Sequence, residues 1–325
     1  MQPLSNPDRP AWPTDPAKRV AALKGQMDGA IALAFTPDRC LLATGGRSGT
    51  GRLWDVAGSN PGERAMVGRY SDRFHALAFA PNGHTLAAGS GALDGLIWLF
   101  DTAEKPPVET AILRGARGSI EAVAFSPDGR LVAGGGEDRT LRVWEPGPSF
   151  RGQPLAQLAG HTRAITALAF SPDGHGLATG GRDSTVRLWT VTRIRSSEWA
   201  ALAHPGEVTA LTYSSDGKML ATACPDHVIR LWDPVSIKPS VQAELRGHAG
   251  PIRLLLIPPK TQVLVSVGDG PKVMNWDLQT NRVVREWELP AATISGVALT
   301  PDGRYLAVGS ADGRVDVFRV ADKRS

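Results

Sequence analysis

Apolar residues fall in short runs along this chain, each closed by turn residues. Between 164 and 189, AITALAF is followed by Ser-Pro-Asp-Gly, then GLATG, then a Gly/Asp turn, then TVRLW. Runs this short, rich in small and β-branched residues and bounded by Pro, Asp and Gly, predict strands. The turns have a physical basis: Pro fixes φ, Asp bonds its own backbone, and Gly accepts positive φ. A fourth run, such as AQLAG (156–160) or AELRG (243–247), leads into the next set.

The set repeats seven times. Its first strand recurs as ALAFTPDR (32–39), ALAFAPNG (76–83), AVAFSPDG (122–129), ALAFSPDG (167–174), ALTYSSDG (210–217), LLLIPPKT (254–261) and GVALTPDG (296–303). The anchors Phe35, Phe79, Phe125, Phe170, Tyr213, Ile257 and Leu299 are 42–46 residues apart. A second anchor follows each: Trp54, Phe100, Trp144, Trp189, Trp232, Trp276 and Phe318. Four strands per repeat at this period predict the blades of an all-β propeller.

Composition narrows the picture only modestly. The chain has 325 residues, 42% hydrophobic and 21% charged, which suits a globular fold. Net charge is +4, and no dense Lys/Arg track builds a polyanion groove. No apolar run reaches the roughly 18–20 residues of a membrane helix, and residues 1–16 lack an apolar signal core. The expected localisation is therefore cytoplasmic, with no membrane partner. Cys40 and Cys224 are far apart and outside metal-ligand spacing, so they read as small core residues.

The chain resembles the WD40-repeat family. The motifs that carry the resemblance are Gly160-His161, Gly247-His248, and the pairs Trp54-Asp55, Trp232-Asp233 and Trp276-Asp277. The similarity spans about residues 18–320, and the Ala-, Gly-, Arg- and Pro-rich composition is like that of simple bacterial members. The resemblance implies a seven-bladed propeller of four antiparallel strands per blade, in which RVAALKG (19–25) closes the ring as the outer strand of blade 7. Flanking it would be a Pro-rich tail (1–17) and a short C-terminal tail (321–325).

His161, Thr179 and Asp183 carry the side chains of a hydrolytic triad. The resemblance implies instead a structural hydrogen-bond network with Trp189, and a second one of His204, Thr222, Asp226 and Trp232. Other copies are degenerate: copy one has Gln26 and Ser48 at the His and Asp positions, and copy three has Ala116 for the His. Blades 4 and 5 are therefore expected to be the best ordered. No catalytic residue, cofactor or metal ligand is assigned.

In the family, the loops leading into the first strand and the turns between the second and third share a top face that often binds peptides. Here those loops carry Arg47, Arg73, Arg117, Arg139, Arg163 and Arg182 on blades 1–4. Arginine binds carboxylate and phosphate in a bidentate manner, so these six are the candidate site for an acidic or phosphorylated peptide or protein. The expected function is a non-catalytic interaction scaffold, as a monomeric propeller or a subunit of a larger complex. Alternatives are a propeller enzyme of hydrolase or lactonase type, or a component of a nucleic-acid assembly. Nucleic acid fits less well, because the aromatics fall mostly at core anchors. Trp98 and Trp199 lie outside the anchor slots, where blade-edge packing or a partner contact could use them.

Overall fold

Alternation of buried and exposed positions sets the first level of the structure. A computed structural model describes residues 18–26, 29–57, 60–69, 73–91, 94–147, 152–192, 196–270, 272–289 and 294–320. The expected N- and C-terminal tails lie outside the described residues. The described chain forms 28 strands and no helix, hence no helix long and apolar enough to cross a membrane.

Seven four-stranded antiparallel sheets follow one another. The chain begins with β1 (Lys18–Leu23). Blade 1 is β2 (Ala30–Phe35), β3 (Leu41–Gly46), β4 (Thr50–Asp55) and β5 (Gly62–Arg69). Blade 2 is β6 (Phe74–Phe79), β7 (Thr85–Ser90), β8 (Ile97–Asp101) and β9 (Val108–Leu113). Blade 3 is β10 (Ile120–Phe125), β11 (Val132–Gly136), β12 (Thr140–Trp144) and β13 (Ala156–Ala159). Blade 4 is β14 (Ile165–Phe170), β15 (Gly176–Gly181), β16 (Thr185–Val191) and β17 (Ser196–Ala203). Blade 5 is β18 (Ala210–Tyr213), β19 (Leu220–Ala223), β20 (Val228–Trp232) and β21 (Val241–Arg246). Blade 6 is β22 (Ile252–Leu256), β23 (Val263–Gly268), β24 (Lys272–Asp277) and β25 (Arg282–Glu288). Blade 7 is β26 (Ile294–Leu299), β27 (Tyr305–Ser310) and β28 (Val315–Arg319), completed by β1. The register Lys18↔Arg319 to Leu23↔Val315 gives blade 7 its outer strand from the opposite end of the chain. Leu23 is buried in the closure.

One packing rule joins the blades: each second anchor packs on the blade before it. Trp189 sits among Ala133, Leu141 and Val143 of blade 3, and Trp232 among Ala178, Val186 and Leu188 of blade 4. Trp54 obeys the same rule across the closure, packing on Val315 and Val317 of blade 7. The aromatic body is what a wide inter-blade space needs. Trp98 is also used this way, buried in the same cluster as Phe74 and edge-on to it with ring centroids 5.8 Å apart. Near the axis, hydroxyls latch blade to blade. Thr166 donates to the Val208 carbonyl at 2.5 Å, Thr209 to Ile252 at 2.6 Å, and Ser295 to Ala30 at 2.7 Å.

Candidate functional site

The triad-like residues of blade 4 meet around a buried hydroxyl. His161 Nδ1 is 3.0 Å from Asp183 Oδ2, and its Nε2 is 2.7 Å from Thr179 Oγ1. Trp189 donates its indole N–H to the same Thr179 oxygen at 2.8 Å. The proton order follows from donor capacity: Trp189 gives to Thr179, Thr179 to His161 Nε2, and His161 Nδ1–H to Asp183. Asp183 also accepts the Thr162 backbone N–H at 2.8 Å and the Thr185 hydroxyl at 2.7 Å, tying the loop into blade 4 to the β15–β16 turn. Burial lowers the His161 pKa against the opposing pull of Asp183. Burial also opposes charge on Asp183, but hydrogen bonds from Thr162, Thr185 and His161 outweigh it and hold the carboxyl below its ordinary value. The His161 side chain and Thr179 are fully enclosed, so this hydroxyl meets no substrate.

Two glycines make room for this arrangement. A Cβ on Gly181 would stand 2.5 Å from His161 Nδ1 and 2.7 Å from Asp183 Oδ1. A Cβ on Gly160 would stand 2.7 Å from Glu198 Oε2, the partner of Arg187.

Blade 5 corrects the expectation of a second identical network. His204 reaches Thr222 Oγ1 at 2.7 Å and Trp232 donates to that oxygen at 2.9 Å, but His204 Nδ1 turns to the Leu202 carbonyl at 3.1 Å. Asp226 instead accepts from Arg230 at 2.5 Å and from the Cys224 thiol at 2.8 Å. The cause is local. Cys224 stands where blade 4 has Gly181, so its side chain fills the space in which His and Asp would meet. Burial opposes charge on Asp226, but Arg230, Cys224 and the Val228 N–H bring its pKa down to about 2. Burial and the bond to Asp226 push the Cys224 thiol up to about 11.

Other blades keep parts of the scheme. In blade 1, Gln26 replaces the histidine: it accepts from Thr44 at 3.1 Å while Trp54 donates to Thr44 at 2.9 Å. In blade 3, Arg142 takes Asp138 at 2.6 Å, and Trp144 donates to the Arg114 carbonyl. Blade 6 keeps His248 on Ser266 at 2.6 Å and Trp276 on Ser266 at 2.8 Å.

The innermost strands line a central channel of about 270 Å³. His75 and Glu121, at the second position of that strand in blades 2 and 3, face each other in it with Nδ1–Oε1 3.4 Å apart. The His75 bond, with help from Ser119 and against burial, holds the Glu121 carboxyl below its ordinary value. Sequence reasoning did not pair these two residues. The signal was there, since the two occupy the same slot in consecutive repeats. Arg253, in that slot of blade 6, is paired with Asp269. Among the described residues, no group of three or more His, Cys, Asp or Glu is arranged to hold a metal.

The loop into blade 4 and its β15–β16 turn lie side by side, since the Arg182 N–H donates to the Ala164 carbonyl at 2.8 Å. In blade 3 the Arg117 N–H likewise reaches Asp138 at 2.8 Å. The six arginines Arg47, Arg73, Arg117, Arg139, Arg163 and Arg182 occupy these loops and turns on blades 1–4, and all are exposed. Among the described residues, only Arg182 has a carboxylate partner, Glu207 at 3.9 Å with both side chains 48% exposed. Such a pair is weak and easily exchanged.

Comparison with known proteins agrees with this geometry. The family described as WD domain, G-beta repeat matches residues 17–55, 67–101, 107–145, 152–190, 198–233 and 282–319. The stretch between the last two matches holds the three inner strands of blade 6. A search of curated proteins finds no match.

Proposed function

The chain belongs to the WD40 repeat family, whose propellers commonly serve as protein-interaction scaffolds, and we propose that it binds an acidic or phosphorylated peptide without catalysis. One observation carries this reading: six exposed arginines stand on the connections of four successive blades, and among the described residues only Arg182 has a carboxylate partner. Guanidinium groups spaced around a rigid ring offer bidentate donors to carboxylate or phosphate at little ordering cost. The buried fastener of blade 4 supports the same reading, since it spends the triad-like side chains on holding these loops.

The test is fluorescence anisotropy with acidic peptides, phosphorylated and unphosphorylated. Arg163→Glu with Arg182→Glu is expected to weaken binding by about tenfold or more, and added salt should weaken the unaltered protein too. Undiminished affinity in the double variant removes the reading.

A further inference from the structure

A second site of opposite character lies between blades 4 and 5. At the end remote from the arginines, a groove of about 190 Å³ is lined by Trp199, Pro172, Pro234, Val235, Asp173 and Asp216, among others. Trp199 is 43% and Val235 69% exposed, and Ile237, in the same β20–β21 loop, is fully exposed.

Strand register explains how a tryptophan comes to stand there. In blade 4, Leu188 pairs with Ala200 and Trp189 with Glu198, so Trp199 is the extra residue of a β-bulge, whose side chain is re-aimed. The same bulge falls on Arg64 in blade 1, Thr110 in blade 2, Gln242 in blade 5 and Val284 in blade 6. Blade 4 alone of these puts an aromatic in the slot. The fold supplies the position, and this sequence fills it with an indole.

The carboxylates complete the site. Asp173 and Asp216 each use one oxygen, Oδ1, to accept from the preceding Ser hydroxyl and a following N–H. Neither makes an ion pair among the described residues, although Lys218 and His175 beside them act on their charge. An indole face next to two carboxylates is complementary to a guanidinium, which stacks on the ring and forks onto an acid. Trp199, Tyr213, Pro172 and Pro234 line the groove with rings, the kind of surface on which an extended polyproline-type segment docks.

We infer that this groove is a docking site for an extended, proline-containing segment of a partner protein, read through an arginine held between Trp199 and the carboxylates of Asp173 and Asp216. The site is separate from the arginine face and of opposite charge, so it stands whether or not that face binds acidic peptides.

The experiment uses the full chain and a fluorescent synthetic peptide of alternating proline and arginine. Trp199→Ala and the pair Asp173→Asn/Asp216→Asn should each weaken binding about tenfold. Arg163→Glu with Arg182→Glu should leave it no weaker. The Asn pair preserves the turns, because blade 2 already carries Asn82 there, with Oδ1 accepting the His84 and Thr85 N–H groups at 3.0 Å. Replacing the peptide's arginines by alanine should also remove binding. The inference is overturned if the unaltered protein does not bind, or if either variant, with its strand circular dichroism intact, binds undiminished. It is equally overturned if an arginine-free proline peptide binds as well, because the carboxylates would then play no part.

Discussion

One small side chain decides whether the histidine and the aspartate meet in blades 4 and 5. Gly181 leaves the gap in which His161 and Asp183 join; in blade 5 the same position is Cys224, and His204 is turned to the Leu202 carbonyl. Cys224→Gly should therefore reopen the gap. Its own sulfur contacts, with Asp226 and with Arg230 Nη1 at 3.3 Å, vanish, and Asp226 becomes reachable by His204. A carboxylate partner favours the imidazolium, so the His204 pKa, now lowered chiefly by burial, should rise. Imidazole proton NMR across a pH titration reads this, and an unchanged His204 resonance would show that Arg230 keeps Asp226 to itself. The converse change, Gly181→Ala, should cost about 1–3 kcal/mol by pushing a buried polar pair apart. The family resemblance located His204, Thr222, Asp226 and Trp232 in the chain. It did not reveal the diversion, because a Gly-to-Cys difference in a strand is silent until one knows what faces that Cβ.

Blades differ in how completely their polar groups are satisfied, and this sets how readily each opens. Blade 4 has a full network, whereas blade 6 carries Asn275 fully buried with neither amide atom bonded. Asn275 alternates with Trp276, which faces blade 5, and shares the face of Val273, which packs toward Val308 and Phe318 of blade 7. The same slot is Leu188 in blade 4 and Leu231 in blade 5. Burying an unpaired amide costs about 1–3 kcal/mol, so Asn275→Leu should raise the urea midpoint by a corresponding amount. Amide exchange of β24 and β28 should slow in that variant, while β16 should be the most protected strand in the unaltered protein. Equal protection in all seven blades would refute this ranking. At this scale much was readable in the sequence. The seven strand sets are readable from the recurring anchors, and the closing role of residues 19–25 from the family resemblance. The bulge that exposes Trp199 was not readable, because a bulge belongs to the pairing of two strands and leaves no mark in either one alone.

The ring as a whole should lose stability in mild acid, earlier than its carboxylates require. Three histidines, His161, His204 and His248, are buried and have lowered pKa values, His248 down to about 4 through burial and the nearby charges of His227 and Lys272. In the unfolded chain each would titrate near the ordinary histidine value of 6.5. Between these limits the unfolded state binds more protons than the folded one, so stability rises with pH through that window and is complete above it. Read downward, stability begins to fall near the unfolded value and continues to fall until the folded value is reached. For His248 alone the loss amounts to roughly 3 kcal/mol. The aspartates act later: Asp183 and Asp226 have pKa values below the ordinary aspartate value of 3.8, so what they contribute is lost only as pH falls below that value. Two acid phases follow, a histidine phase that begins near 6.5 and for His248 runs to about pH 4, and a carboxylate phase that begins below the ordinary carboxylate values. Urea midpoints at about pH 7.5 and 4.5 should therefore differ clearly in the unaltered protein. The difference should shrink in His248→Gln, whose amide still reaches Ser266 but does not titrate in this range. Midpoints that stay level across that interval would mean that the buried histidines take up protons without opening the blades.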